Sequence, residues 1–225
     1  MRAPNLRAAS STQGAKLCLP NSRSTMRLLI IRHAEPEPLS DACPDCERPL
    51  SALGRDQAER LARAVAHEKL DFVVSSTMRR AAETAAPVAD LLGLWLRQEP
   101  ALAEIDLGTL TPWGEAERAR WAEVTGRWSS GDLHACCPQG ESLVDVVKRV
   151  EPVVQGLLAE PCQDGFAVVA HSVVNHVILT ALCPDLRPKL GQDLGHSHAG
   201  IWELEGVGQA FRVVRWNDTS HLGAV

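Results

Sequence analysis

Three short runs of apolar residues stand out along the chain, and each of them ends abruptly in polar residues. The runs are RLLII at 27–31, which stops at Arg32-His33, FVV at 72–74, which leads into SSTMRR, and FAVVA at 166–170, which stops at His171-Ser172. Because these runs are apolar throughout and do not alternate with polar residues, they are typical of strands buried on both faces of a mainly parallel sheet. The pattern therefore predicts an α/β fold.

A helical pattern follows the predicted strands. The segment 51–68 places apolar residues near one helical stripe, and Ser51 is suited to cap its amino terminus. A second helix is predicted over 78–93, where Gly93 ends it. The remaining predicted helices are 141–158 and 172–182.

The composition suits one compact domain. Of the 225 residues, 45% are hydrophobic, which is enough for a sizeable core, and we expect a single domain over 26–225. A formal net charge of -5 argues against broad electrostatic binding to nucleic acid or to an anionic membrane. Since no apolar run approaches the roughly 20 residues that span a bilayer and no secretory signal is recognisable, a cytoplasmic location is predicted.

The first 25 residues differ from the rest of the chain. They contain four basic and no acidic residues and lack the periodicity of a packed element, so a disordered tail is predicted over 1–25. An organelle-targeting peptide has a similar composition. A start codon placed upstream of Met26, which would make the segment non-native, is the simpler explanation.

Basic side chains follow the predicted strands at the points where the strands end. Arg32 and His33 follow the first strand, His171 follows the third, and the second leads to Arg79 and Arg80. Ligands bind beyond the carboxyl ends of the strands in open α/β sheets, so neighbouring strands would bring these side chains to one pocket. The helix after His171 would also direct its amino-terminal amides there, which suits an anion. The sequence therefore predicts a phosphate site.

The other histidines do not follow a predicted strand. A single histidine at a strand end is usually structural, whereas two of them with arginines nearby favour a function. The remaining ones are assigned by default to the surface or to packing: His67, His134, His176, His196, His198 and His221.

Seven segments occur along the chain in a characteristic order. They are LLIIRHAE, PLSALGRDQAERLA, VVSSTMRRAAETAAPVADLLGL, LAEIDLGTL, GESLVDVVKRV, VVAHSVVNHVIL and WNDTSHL. In order and spacing this series resembles the histidine phosphatase superfamily, the phosphoglycerate-mutase-like group, over about residues 26–222. The last two segments look like the bacterial branch that includes α-ribazole phosphatases. The resemblance implies a three-layer α/β/α fold with a mainly parallel central sheet.

The resemblance also implies a role for each charged residue of the predicted pocket. His33 matches the nucleophile that accepts the phosphoryl group, and Arg32 matches the phosphate-binding arginine beside it. In the family's pattern the second such arginine directly precedes alanine, which selects Arg80 over its neighbour. Glu104 matches the general acid, and His171 matches the second histidine of the pocket.

Two short segments depart from the family's pattern. Ala34 and Pro36 stand where relatives usually carry glycine and then Thr or Ser after the nucleophile, and Ser172 and Val173 replace two glycines after the second histidine. These changes alter the backbone freedom at the floor of the pocket. Ser172 either offers its hydroxyl to phosphate or caps the helix that follows.

The cysteines allow several interpretations. Their odd number, seven, favours reduced thiols over a disulfide framework. Four of them form two clusters, Cys43 with Cys46 and Cys136 with Cys137. These four thiols are candidate ligands of a structural zinc ion, because Cys-x-x-Cys spacing suits tetrahedral coordination; a redox pair and free thiols are the alternatives.

Three tryptophans lie between the predicted acid and the GES segment. They are Trp113, Trp121 and Trp128, at spacings of eight and seven residues. They form either an aromatic lid that faces the substrate or, as the more ordinary interpretation, a helical stripe packed on the domain.

Together these features predict a metal-independent phosphatase that acts on a small phosphorylated metabolite through a phosphohistidine on His33. No cofactor is required by this chemistry, and a monomer or homodimer without nucleic-acid or membrane partners is expected. Two alternatives remain open, a phosphoglycerate-type phosphomutase that shares the nucleophile and a catalytically weak relative that only binds phosphorylated ligands.

Overall fold

The computed structural model describes residues 25–39, 43–109, 114–208 and 210–223. Trp113 and almost the whole of the predicted tail lie outside the described residues. The strands are β1 (Met26–Arg32), β2 (Phe72–Ser76), β3 (Leu96–Glu99), β4 (Gly165–Ala170), β5 (Ile201–Val207) and β6 (Ala210–Asp218). The helices are α1 (Ala52–Ala64), α2 (Arg79–Leu92), α3 (Glu115–Ser129), α4 (Leu143–Ala159) and α5 (Ser172–Leu182).

The strands form one mixed sheet in the order β3-β2-β4-β1-β5-β6. The first four strands of this order run parallel, whereas β5 is antiparallel to both β1 and β6. The three apolar runs become β1, β2 and β4, which lie side by side as expected. The sequence patterns did not predict β3, β5 or β6, because polar residues interrupt these strands and β6 is half exposed.

Helices cover both faces of the sheet. Along β1, Leu28 and Ile30 face the core that α3, α4 and α5 complete, whereas Leu29 and Ile31 face the core beneath α1 and α2. This alternation of two apolar faces explains why the run carries no polar residue. The predicted three-layer α/β/α fold is confirmed.

The helix ends agree with the predicted capping residues. The Ser51 hydroxyl accepts a hydrogen bond from the Gly54 amide at 2.9 Å, and Gly93 ends α2 in the left-handed conformation with φ of 66°. The first turn of α4 adds a capping box, in which Ser142 and Asp145 bind each other's amides. Among the described helices, none is long and apolar enough to cross a bilayer.

Candidate active site

The carboxyl ends of three neighbouring strands bring the predicted pocket residues together. Arg32 ends β1, His33 follows it, and His171 follows β4, which pairs with β1 in parallel. The ring centroids of the two histidines are 5.0 Å apart. Arg80, in the first turn of α2, places its Nε 3.3 Å from Nε2 of His33. The strand order thus brings separate strand-end residues into one cluster, in which Arg32, His33 and Arg80 line a cleft and His171 is buried behind them.

The imidazole of His33 is held in one tautomer. Its Nδ1 lies 2.7 Å from the Ala34 carbonyl oxygen, which can only accept, so Nδ1 carries the proton. Its Nε2 faces a guanidinium group, which can only donate, so Nε2 presents a lone pair. Burial lowers the pKa of His33 well below its usual 6.5, and the nearby His171 and Arg80 lower it further. His33 is therefore a neutral imidazole with its lone pair on Nε2.

The two adjacent arginines at the start of α2 have different environments. Arg80 is 2% exposed and lies in the cluster, whereas Arg79 extends into solvent and pairs with Glu83. Arg32 donates from Nη1 to the carbonyl of His196, and its Nε has no partner among the described residues. The cluster thus contains two guanidinium groups beside the neutral imidazole of His33.

Asp45 accepts a hydrogen bond from each terminal nitrogen of Arg80. The Nη1 of Arg80 donates to the Asp45 carbonyl oxygen at 2.7 Å, and its Nη2 donates to the Asp45 carboxylate at 3.1 Å. The same carboxylate pairs with Arg48 at 3.0 Å. An incoming phosphate dianion must therefore compete with an anion that the protein itself supplies. Sequence reasoning missed Asp45, because no local pattern links it to a helix 35 residues further along the chain.

We expect Asp45→Asn to strengthen binding of inorganic phosphate about three- to fivefold, because removal of the carboxylate charge leaves Arg80 and Arg48 without their competing anion. The measurement is the inhibition constant of phosphate in a hydrolysis assay. Glu47→Gln is the matched control, since Glu47 is exposed on the same turn. Equal or weaker inhibition in Asp45→Asn would show that Asp45 does not compete for this site.

His171 is connected to the end of β2. Its Nε2 lies 2.9 Å from the Ser76 hydroxyl, which also accepts the Met78 amide at 3.1 Å. If the hydroxyl donates its own proton to Nε2, the ring proton of His171 lies on Nδ1. That nitrogen is buried and has no partner among the described residues. Burial, together with Arg80 and Arg32, lowers the pKa of His171 well below 6.5.

Glu104 follows β3 and a short 3₁₀ turn, and it borders the same cleft. Its Oε1 accepts the Ile105 amide at 3.0 Å, and its Oε2 lies 3.5 Å from the amide of Val173 at the start of α5. Burial raises the pKa of the Glu104 carboxyl above 4.5, although these amides and the arginines Arg80 and Arg32 oppose the shift. A carboxyl with a raised pKa holds its proton to a higher pH than a free carboxyl, which suits a general acid.

The buried histidines make stability depend on pH. The pKa values of His33, His171, His196 and His198 are all lowered in the folded protein, with burial as the largest cause. Near pH 6.5 these histidines bind protons in the unfolded chain but not in the folded protein. The free energy of unfolding therefore falls as pH drops below this value. The pKa of His176 and His221 is lowered as well, and the raised pKa of Glu104, which acts in the opposite direction, is one group against six. We expect the melting temperature to fall between about pH 7 and about pH 5.5, and a flat profile over this range would contradict the assignment.

The two departures from the family's pattern fit the local structure. Ala34 is fully buried and has no positive φ, so glycine is not required there, and its amide donates to Thr84 at 2.9 Å. Ser172 is the first residue of α5, and the preceding His171 occupies the cap position, so the interpretation of Ser172 as the helix cap is wrong. Ser172 lines the cleft, where its hydroxyl is accessible to a ligand.

His198 is a third histidine of the cleft, and its default assignment to surface or packing is wrong. Its ring centroid lies 5.4 Å from that of His33. It precedes β5, whose antiparallel pairing with β1 places Ile201 opposite Ile31 and so brings the start of β5 to the edge where β1 ends. Sequence reasoning missed His198 because β5 was not predicted, and only the direction of that strand places His198 near His33.

The two cysteine clusters are not placed together as a ligand set among the described residues. Cys137 is buried in the larger core, whereas its neighbour Cys136 is exposed, so the two thiols lie in different environments. Among the described residues, no group of three or more His, Cys, Asp or Glu side chains is placed to hold a metal ion. The described residues therefore offer no ligand set for the predicted structural zinc ion. Cys43 and Cys46 border the cleft as free thiols.

The two described tryptophans of the predicted stripe pack on each other. Trp128 is buried in the core and donates from Nε1 to the Ala135 carbonyl at 2.8 Å. Trp121 meets it edge to face with a centroid distance of 5.1 Å and also borders the cleft. The prediction of a packed stripe holds for Trp128, whereas Trp121 packs against Trp128 and also borders the cleft.

Comparison with known proteins identifies this arrangement. The family model of the histidine phosphatase superfamily (branch 1) matches residues 28–219. The chain belongs to the histidine phosphatase superfamily. The matched segment includes all of the charged pocket residues described above, and the family predicted from the sequence motifs is confirmed.

Individual relatives within this superfamily are similar over nearly their whole length. Phosphoserine phosphatase 1 of Hydrogenobacter thermophilus is 28% identical over 210 residues, covering 88% of this chain and 95% of that protein. The structure of mycobacterial glucosyl-3-phosphoglycerate phosphatase with VO3 is 27% identical with a TM-score of 0.73, covering 88% of this chain and 100% of that chain. The α-ribazole phosphatase of Shigella flexneri shares the fold, with 22% identity, a TM-score of 0.67 and coverage of 86% of this chain and 96% of that chain. The predicted phosphatase class is confirmed.

Proposed function

We propose that this protein hydrolyses a small phosphate monoester through a phosphohistidine intermediate on His33. The observation that carries the proposal is the arrangement of the His33 ring. The Ala34 carbonyl holds Nδ1–H, and the Nε2 lone pair lies beside Arg80 at the carboxyl edge of the sheet. A phosphoryl group bound by this guanidinium comes within reach of the lone pair, which makes His33 the nucleophile.

In the first step, Nε2 of His33 forms a bond to phosphorus while the bond between phosphorus and the ester oxygen breaks. Glu104 gives its proton to the departing oxygen, so the product leaves as a neutral alcohol. Arg32, Arg80 and His171 supply hydrogen bonds to the phosphoryl oxygens, over which the negative charge is spread.

In the second step, water attacks the phosphohistidine. The carboxylate left on Glu104 takes a proton from the water, the bond between phosphorus and Nε2 breaks, and the lone pair returns to His33. Inorganic phosphate leaves, and both side chains regain their starting protonation states. This division replaces one difficult hydrolysis by two easier transfers.

The proposed reaction needs no metal ion. The two guanidinium groups and the Nδ1 donor of His171 supply the positive charge and hydrogen bonds that phosphoryl transfer requires, a role that metal ions fill in many phosphatases. The proposal therefore predicts that activity persists in the presence of EDTA.

We further propose that the substrate is a small phosphorylated metabolite. The names of two relatives refer to phosphoserine and glucosyl-3-phosphoglycerate, both small phosphate esters that also carry a carboxylate. Arg48 borders the cleft and pairs with the Asp45 carboxylate at 3.0 Å. Displacement of Asp45 would leave this arginine free for a second anionic group of the substrate.

The test is phosphate release from p-nitrophenyl phosphate and from a panel of phosphorylated hydroxy acids, amino acids and sugars, with EDTA present. Rapid quenching of the reaction with a radiolabelled substrate should trap label on the protein in a linkage that is labile to acid and stable to alkali, as expected for phosphohistidine. Absence of phosphate release from every compound would refute hydrolysis, and transfer of label to a second substrate molecule instead of water would favour the phosphomutase alternative.

A further inference from the structure

His198 lies in the cleft, but the proposed reaction gives it no role. Its ring is partly exposed to the cleft, and its centroid lies 5.4 Å from that of His33, with the two ring planes inclined by 37°. The centroid of His171 lies 5.0 Å from the same ring. The nucleophile therefore has two neighbouring imidazoles, and only His171 has been assigned a function.

The backbone around His198 is fixed to the strand that carries the nucleophile. The amide of Ala199 donates to the Arg32 carbonyl at 3.1 Å, and the Arg32 side chain donates to the His196 carbonyl. On the outer side, the Ser197 amide donates to Asn217 Oδ1 at 2.9 Å. His198 is thus held by direct hydrogen bonds between its own segment and the phosphate-binding arginine.

Backbone strain next to His198 supports a specific placement. Ala199 is fully buried and has φ of 53°, a left-handed conformation that residues other than glycine seldom adopt. Such conformations persist only when the surrounding structure enforces them, and they cluster at functional sites. The strained residue directly follows the histidine that it directs into the cleft.

Burial, with help from nearby positive charges, favours the neutral form of His198. Burial lowers its pKa to about 4, and the positive charges of Arg32, Arg48 and Arg80 contribute to this shift. A neutral imidazole still carries one N–H donor. These same arginines attract the phosphoryl dianion, so the substrate's charge arrives close to this donor.

We propose that His198 contacts the phosphoryl group, donating a ring hydrogen bond to one of its oxygens while the group is transferred to Nε2 of His33. This inference rests on the proposed function, since it adds a ligand to the same phosphoryl site. The phosphoryl site then has two imidazole donors, His171 after β4 and His198 in the segment that leads into β5.

The test compares His198→Ala and His198→Gln with the unmodified protein and with His67→Ala. His67 is an exposed histidine in the loop before β2, at the opposite edge of the sheet, and therefore serves as the matched control. The probe is vanadate, which resembles a phosphoryl group in transfer, and its dissociation constant is measured by calorimetry so that no turnover is needed. Hydrolysis of p-nitrophenyl phosphate is measured alongside.

Loss of one hydrogen bond to a charged ligand should weaken vanadate binding by His198→Ala about tenfold and lower kcat/KM by a similar factor. His198→Gln retains a donor amide and should recover part of the affinity. The melting temperature without vanadate should stay the same in both variants, as in His67→Ala. Binding of vanadate as tightly by both variants as by the unmodified protein would overturn the inference, and so would a loss of affinity that appears only together with a lower melting temperature.

The outcome for His198 is separate from the outcome for the proposed function. Hydrolysis that requires His33 but is indifferent to His198 would refute this inference alone. Vanadate binding that depends on His198 in a protein without hydrolytic activity would support the inference and refute the proposed reaction.

Discussion

Replacement of His33 by alanine should lower kcat for p-nitrophenyl phosphate by about 10⁴-fold or more and abolish the acid-labile phosphoenzyme, because the variant lacks the group that forms the covalent intermediate. No other described residue combines a lone pair fixed on one nitrogen with a position against Arg80. The remaining arginines should still bind phosphate, so the loss should fall on kcat and leave KM less affected.

Imidazole added to the His33→Ala variant provides a sharp control for this prediction. The truncated side chain leaves space beside Arg80 for a free imidazole, which should accept the phosphoryl group and restore part of the release of nitrophenol. His67→Ala, which removes an exposed histidine, should behave like the unmodified protein. Substantial activity of His33→Ala without imidazole would rule out His33 as the nucleophile.

The second large effect is expected for Glu104→Gln, and it should depend on the leaving group. An alkyl phosphate releases a basic alkoxide that needs a proton, so kcat should fall about 10²- to 10⁴-fold. Nitrophenolate is a good leaving group, and the same variant should lose far less activity on p-nitrophenyl phosphate. The glutamine preserves the size of the side chain and an oxygen that can accept the Ile105 amide, so the change tests the proton and not the packing.

The pH profile gives an independent measure of the same residue. Burial raises the pKa of Glu104, so the unmodified protein should lose activity on alkyl phosphates as rising pH removes this proton. Because the pKa of His33 is lowered, its lone pair should persist below pH 6.5, and the active range lies on the acidic side. Glu104→Gln should lack the alkaline decline that this carboxyl causes. Glu59→Gln, an exposed change on α1, is the control, and an equal loss on both substrates would exclude Glu104 as the general acid.

The central part of the fold was predictable because its signals are local. Strands β1, β2 and β4 are buried on both faces and appear as uninterrupted apolar runs, and Ser51 and Gly93 mark helix ends through their own backbone chemistry. Strands β3, β5 and β6 lie on either side of this centre. Polar residues occupy exposed positions of β3 and β6, whereas β5 carries Glu203 buried in ion pairs with Arg27 and Arg215. Solvent or partners from distant segments accommodate these polar residues, and both are decided by packing.

The candidate site divides in the same way. His33, Arg32 and His171 sit directly at the ends of predictable strands, so the rule that ligands bind at the carboxyl edge was enough to group them. Arg80 could be separated from its neighbour only by a motif of relatives, and the structure shows why they differ, with one arginine buried in the cluster and the other in solvent. Asp45 was not predicted from the sequence, because it reaches Arg80 from a loop that is distant along the chain.

The amino-acid sequence by itself determined the α/β class, the central strands, the helix ends and the strand-end residues of a phosphate site, because periodicity and capping act over a few neighbouring residues. Only the tertiary structure decided that His198 lies beside His33 and that Asp45 pairs with Arg80. These contacts follow from the antiparallel direction of β5 and from the path of a loop, which are set by pairing between distant segments. No local pattern encodes such pairing, so these neighbours of the nucleophile became visible only in the folded chain.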